Sequence, residues 1–419
     1  MYLKKVTIKN IKCFAHLEID FTKGKDIRLW TTLFGKNGLG KSTLLQAIGA
    51  TLAGAAAVRE LLPVAEGWVR QGEDYGEIEA QLLWSEGDAL TYKMERPKTK
   101  SPYMARYIVT GDDPERLPES LNERYYYTVP TLVPWSGEGE ARQRGNVTKD
   151  LKRLQQTAYA EKKSGWLGCG YGPFRRLSGG GQEADRILYA ERISARFVTL
   201  FREDAALTSA TEWLIRLHNT AREGDKNSQR ALEQVKDAFA TNLFPEPTQL
   251  KVDARAALLQ VGNQNPIPLH DLSDGYRSML ALSIDLLRWL IKAFPDDDHP
   301  MSCPGVVLID ELDVHLHPAW QRRIGYWLRE KFPKIQFIIA THSPFLAQVA
   351  DDETSVDHHL GGNIVLQQTS NGVVAQPEFE PMQDLRADQI LMSPLFDMDS
   401  LLSPKTERKL ARHEALRNQ

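Results

Sequence analysis

The sequence is short of cysteine, of long apolar runs and of net charge, and each shortage removes a class of function. Cys13, Cys169 and Cys303 are its only cysteines, and no two of them form a CxxC pair. That excludes a disulfide framework, suits a reducing compartment and gives no cysteine metal site. No run of about 18 consecutive apolar residues occurs, so no membrane span is expected. The formal net charge of −3 supplies no global positive field, so nucleic acid would have to meet a local basic patch. The opening MYLKKVTIKNIKCF alternates like a strand and lacks the apolar block of a secretory signal, which predicts a cytoplasmic protein. Sustained heptads are missing too, which argues against a long coiled-coil arm. There is no internal repeat.

What is present suits a globular chain. With 419 residues, 42% of them hydrophobic, the chain can bury a sizeable core and divides into two or three units, or one with an insertion. Residues 1–34 read as strands, 42–53 as a helix, and the stretch around Glu86-Gly87-Asp88 as a hairpin. From about 97 to 185 the chain is rich in Pro, Gly, Tyr and Arg, and from 185 to 241 the period is helical. Strand pattern returns near 249, followed by helix at 277–293, strand at 305–309, helix at 318–331 and strand at 335–340. The expected layout is therefore residues 1–96 and 245–380 as two parts of one α/β unit, 97–244 as a mostly helical insertion, and 381–419 as a tail that contacts a partner or a second copy. A largely parallel sheet covered by helices, with an antiparallel β subdomain, is the fold class this predicts.

Gly35-Lys36-Asn37-Gly38-Leu39-Gly40-Lys41-Ser42, followed by Thr43, fits G-x-x-x-x-G-K-[ST] between a strand and a helix. In that setting backbone N–H groups turn inward around phosphates, and the helix N-terminus adds its positive dipole end. Lys41 would neutralise the β and γ oxygens of ATP, and the Ser42 hydroxyl would bind Mg²⁺. A chance glycine turn is the alternative, and the flanking strand and helix disfavour it.

GVVLIDELDVHLHP is an apolar strand ending in two acids. Asp310 would hold the Mg²⁺ shell, and Glu311 would act as the general base that orients water. KIQFIIATHSPFL is a second such strand, ending in Thr341-His342-Ser343, where His342 would sense the γ-phosphate. His315 and His317 have a spacing that invites a metal, but they lie in a turn before Pro318 with no third ligand nearby in sequence.

Two serine-glycine stretches compete for one role. LSGGG at 177–181 is richer in glycine, but LSDG at 272–275 leads through a long helix to the Asp310 strand. The order G-x4-GKS, LSDG with its helix, the acid pair, then T-H-S resembles the heads of ATP-binding-cassette (ABC) ATPases, in the branch of RecF, SMC and OLD-like proteins. LKKVTIKNIKCF resembles that branch's opening pattern, with Lys12 where arginine is usual. DELDVHLHP and ATHSPFL resemble its acid-pair and switch regions. These motifs cover residues 1–55 and 270–346. YGPFRRLSGG and DLRADQILMSPLF are similar to one group of bacterial AAA-type ATPases from anti-phage loci, the PtuA-like ATPases of Septu and retron systems.

The resemblance implies that LSDG is the signature, with Ser273 and the N–H of Gly275 completing the γ-phosphate cage of a second subunit. It also implies a homodimer or higher even oligomer, and Asp313 near the dimer interface. A separate HNH-type or other nuclease would be the partner, with DNA or RNA as a further candidate partner. Gln81 is a candidate for the Q-loop. Arg175 and Arg176 read either as a phosphate contact or as part of a mobile surface loop. A RecF- or SMC-like repair ATPase that clamps DNA is the alternative function. A nuclease within the chain is not expected, since fewer than eighty residues follow His342 and Asp397-Met398-Asp399 is their only DxD.

Overall fold

A computed structural model describes the chain apart from residues 86–87, 89–101, 112, 114–115, 118–128, 136–140, 161–164, 176–179, 241–242, 245, 351–360, 379–381, 397, 399 and 418–419. The turn at Glu86-Gly87, Arg176, most of the LSGGG stretch, Asp397 and Asp399 therefore lie outside the described residues.

Strands follow in chain order. β1 (Tyr2–Ile11) and β2 (Phe14–Asp20) form a hairpin, β3 (Thr22–Lys23) and β4 (Asp26–Ile27) a small ribbon, and β5 (Trp30–Phe34) enters the core. β6 (Tyr75–Leu83), β7 (Tyr103–Thr110) and β8 (Leu132–Pro134) come next, then β9 (Leu167–Tyr171). β10 (Thr248–Val252), β11 (Ala257–Val261) and β12 (Ile267–Pro268) form a separate antiparallel sheet. β13 (Gly305–Ile309), β14 (Ile335–Ala340), β15 (Gly361–Thr369) and β16 (Gly372–Glu378) complete the set.

The core sheet runs β16-β15-β5-β14-β13-β9. All of its pairings are parallel except β15 with β16. Its central strands are buried along their whole length, which is why WTTLF, GVVLI and IQFIIA show almost no polar alternation. Because they are parallel, β5, β14, β13 and β9 release their C-terminal ends along one edge, where ligands of such sheets bind. An antiparallel sheet of order β2-β1-β6-β7-β8 packs beside it. In β1 and β6 apolar residues alternate inward, as a half-buried sheet requires. Gln336 joins the two sheets: from the buried middle of β14 its amide accepts from Leu3 N (2.8 Å) and donates to Leu3 O (2.9 Å).

The helix Lys41–Ala53 is buried on nearly every side, as its apolar composition dictates. The helix Asp274–Ala293 is likewise a core element. Segment 97–244 holds the helices Ala141–Gln156, Thr208–Arg222 and Lys226–Phe239. It also holds β7 and β8 of the antiparallel sheet and β9 at the edge of the core sheet, so strands accompany the helices of this segment. LGCGY conceals its strand because it carries no β-branched residue. After β16 the tail returns to the core: Met382, Ile390 and Leu395 pack on Phe34, Ala347 and Val365. The helix Pro404–Arg417 follows. Among the described residues, no helix is long and apolar enough to cross a membrane.

Candidate nucleotide site

The loop between β5 and the helix Lys41–Ala53 has the backbone a phosphate cradle needs. Gly35, Gly38 and Gly40 adopt φ of 145°, 84° and 85°, values that favour glycine. Space selects glycine as well. A Cβ on Gly40 would lie 2.5 Å from Cys13 Sγ, and one on Gly35 would lie 2.8 Å from Leu366 O. The opening KNIKCF turn thus abuts the phosphate loop directly. Lys41 Nζ donates to Gly35 O (2.7 Å) and Lys36 O (3.3 Å), which holds the ammonium inside the loop. Burial lowers the Lys41 pKa, while Asp310, Glu311 and Asp313 oppose that shift. Lys36, Asn37 and Gly38 are exposed at the loop crest, Leu39 is half-buried beside them, and Ser42 and Thr43 open the helix.

Asp310 follows β13 and is buried. Burial raises its pKa, and a hydrogen bond with Ser42 works against that rise. Among the described residues its Oδ1 is buried without a hydrogen-bond partner. A carboxylate oxygen left in that state beside a serine hydroxyl fits a divalent cation, so Ser42 and Asp310 are the residues that would hold Mg²⁺. Glu311 is next, with φ of 48°, a left-handed backbone that side-chain-bearing residues seldom adopt.

The end of β14 meets the turn after the acid pair. Asp313 Oδ1 accepts from Thr341 Oγ1 (2.5 Å) and from His342 N (3.3 Å). Partial burial lowers the His342 pKa, and Lys41 lowers it further, which favours the neutral imidazole at pH 7. His342 lines a cleft of about 600 Å³ together with Gly35, Asn37, Gln367, Gln368 and Phe396. The tail's contribution to this wall has no periodic signal in the sequence.

LSDG stands at a helix start, as the sequence reading requires. Ser273 occupies the N-cap position, is exposed, and makes no capping bond with its hydroxyl. Gly275 is buried where a Cβ would lie 2.7 Å from the Trp320 ring and 2.8 Å from His315 O. The LSDG loop is thereby packed against the chain that leaves the acid pair. His317 caps the following helix, its Nδ1 accepting from Ala319 N at 3.2 Å, and His315 has φ of 65°.

Three further residues are placed by the structure. Gln81 lies near the end of β6, as its place in the sequence predicts, paired with Lys5 and Met104. Lys12 has its ammonium 5.0 Å from the centre of the Trp68 ring. Arg175 belongs to no mobile surface loop: it is buried, and it donates to Gly172 O (2.7 Å), Asp310 O (2.8 Å) and Glu311 O (2.9 Å). An arginine pair beside a glycine-rich stretch gives no sequence sign of this.

Residues 180–347 match the family described as "AAA domain, putative AbiEii toxin, Type IV TA system", and residues 1–60 match "AAA ATPase domain". The Septu protein PtuA of Bacillus mycoides (strain KBAB4) is 28% identical over 85% of this chain and 40% of its own length. An Escherichia coli relative named "Retron Ec83 probable ATPase" is 38% identical over 30% of this chain and 23% of its own. The chain thus spans less than half the length of these curated relatives. A solved SMC head bound to the C-winged helix domain of ScpA superposes with a TM-score of 0.54 at 16% identity, covering 90% of this chain and 98% of that one. The chain has the ABC-type P-loop ATPase fold seen in SMC head domains and is similar to the Septu protein PtuA and to retron ATPases.

Proposed function

We propose that the chain binds ATP with Mg²⁺ at Gly35–Thr43 and hydrolyses it to ADP and phosphate, and that two copies close on the nucleotide. The observation that carries this is the convergence of Lys41, Ser42 and the unpartnered Asp310 Oδ1 at one sheet edge. Backbone N–H groups of the loop and Lys41 would neutralise the phosphates, and Mg²⁺, held by Ser42 and Asp310, would supply further charge neutralisation. Glu311 would orient a water for in-line attack on the γ-phosphorus and take its proton as the β–γ bridging bond breaks. His342, neutral, would donate one hydrogen bond towards the γ-phosphate.

Dimer closure is supported by Ser273, whose exposed hydroxyl at the start of a 20-residue helix is free of a capping bond. It could complete the cage of a second copy, giving two sites related by a two-fold axis. The names of the relatives support a setting in anti-phage defence, where the nucleotide state would control a separate nuclease or other effector.

The test is direct. Purified chain with Mg²⁺ and ATP should release phosphate and shift from monomer to dimer in light scattering, and co-expression with the neighbouring gene product should give a stable complex. Absence of nucleotide binding would overturn the site, and absence of any ATP-dependent change in mass would overturn the dimer.

A further inference from the structure

We infer that Arg175 is a positioning residue for Glu311, and that Tyr171 and Asp285 tie this pair to the helix that begins at LSDG. The catalytic part rests on the ATPase function proposed above; the structural part does not.

Arg175 lies just past the end of β9, with its guanidinium buried under the acid pair. One nitrogen, Nη1, donates to Gly172 O and Asp310 O, while Nη2 donates to Glu311 O. A planar fork with fixed N–H directions can bridge adjacent carbonyls in this way, and a lysine ammonium lacks that geometry. The same backbone is held from the strand side, where Asp310 N donates to Tyr171 O at 2.8 Å. Glu311 therefore carries its left-handed backbone between two anchors. The direction of its carboxylate follows from that backbone, so whatever holds the carbonyl aims the base. Both terminal nitrogens of Arg175 are engaged by backbone carbonyls, which commits the fork to the chain beneath the acid pair. Burial lowers the Arg175 pKa to about 10, against the pull of Asp310, Asp313 and Glu311, and leaves it charged at neutral pH.

The last residue of β9 supplies the link. Tyr171 donates its hydroxyl to Asp285 Oδ2 at 3.0 Å, and both residues are buried. Asp285 lies on the helix Asp274–Ala293, beside Arg288 at 3.7 Å. A contiguous set of hydrogen bonds therefore runs from the signature helix through β9 and Arg175 to Glu311. Engagement of LSDG by a second copy would reach the base of its own chain along this path.

Arg175→Lys, Arg175→Gln and Tyr171→Phe test it through turnover, nucleotide affinity and amide hydrogen exchange over 310–314. Both Arg175 variants should lower kcat by about 10–100-fold with ATP affinity within about threefold of the parent, and lysine should not rescue. In a Glu311→Gln background, Arg175→Lys should cost less than about twofold more, because the group it positions is already disabled. An equal loss in both backgrounds would overturn the positioning role. Exchange in the nucleotide-free chain needs no catalysis: both variants should speed it about tenfold at 310–314 and leave the helix Lys41–Ala53 unchanged. Unchanged exchange at 310–314 overturns the tie. Tyr171→Phe removes one hydroxyl and decides the matter where Arg175 variants do not fold; it should slow turnover by about threefold or more, and parental turnover and exchange would overturn the link. A parent chain without ATP turnover sinks the proposed function, and the exchange result then judges Arg175 alone.

Discussion

Thr341 donates its hydroxyl to Asp313 at 2.5 Å, joining the end of β14 to the turn that follows the acid pair. The same hydroxyl oxygen accepts from Ser343 N at 3.0 Å. Thr341→Val keeps the shape and removes both bonds, leaving a buried N–H unpaired. Stability should fall by roughly 1–3 kcal/mol in denaturant unfolding, and turnover by about tenfold as His342 loses its fixed position. Unaltered turnover in a destabilised variant would separate His342 from the γ-phosphate.

Glu311→Gln should bind ATP with near-parental affinity and hydrolyse it about 10²–10⁴-fold more slowly, since the amide cannot accept the proton of the attacking water. The trapped species should be a dimer by light scattering. Turnover within twofold of the parent would remove Glu311 from the role of base.

Much of the site was legible because its parts are written as local chemistry. The glycines at 35, 38 and 40 have φ values that their motif demands, and the buried strands GVVLI and IQFIIA end at the acids and the T-H-S turn. LSDG opens a core helix, as its flanking pattern predicts. The remainder depends on long-range pairing, which leaves no local pattern. β9 is a strand through its neighbour β13, not through propensity. Arg175 meets the acid pair only because β9 lies beside it.

Ser273→Ala isolates the signature. Its hydroxyl makes no hydrogen bond that caps its own helix, so folding and ATP binding by the monomer should stay within about twofold of the parent. Hydrolysis should fall by about 10–100-fold if Ser273 completes the site of a second copy as proposed. Gly275→Glu should also block hydrolysis, but its Cβ would press on Trp320 and His315, so the serine variant is the cleaner measurement.

Asp285 gives a pH signature. Burial raises its pKa to about 6, with Arg288 and Tyr171 opposing the rise. Between about pH 4 and 6 the folded chain keeps a proton that the unfolded chain has released, so stability falls as pH rises through that window. Asp285→Asn should remove this component, changing the stability difference between pH 4 and 6.5 by roughly 1–3 kcal/mol relative to the parent. Parallel pH profiles for the two chains would show that Asp285 is ionised throughout.

The tail offers the last test. Phe396 packs its ring on Phe34 with centroids 5.3 Å apart, and Phe34 is the residue before Gly35. Leu395 is buried with Phe34 and Val365, and both tail residues line the cleft shared by the phosphate loop and His342. Leu395→Ala should destabilise by roughly 2–4 kcal/mol, since the small cluster around it has little with which to refill the space. Phe396→Ala should cost about 1–3 kcal/mol and weaken ATP binding several-fold, while Phe396→Leu retains most of both. Isothermal titration with a non-hydrolysable ATP analogue, beside thermal unfolding, distinguishes two roles. Lower stability with unchanged affinity makes the tail a prop for β5 alone, whereas loss of both makes Pro394–Phe396 a wall of the nucleotide cleft.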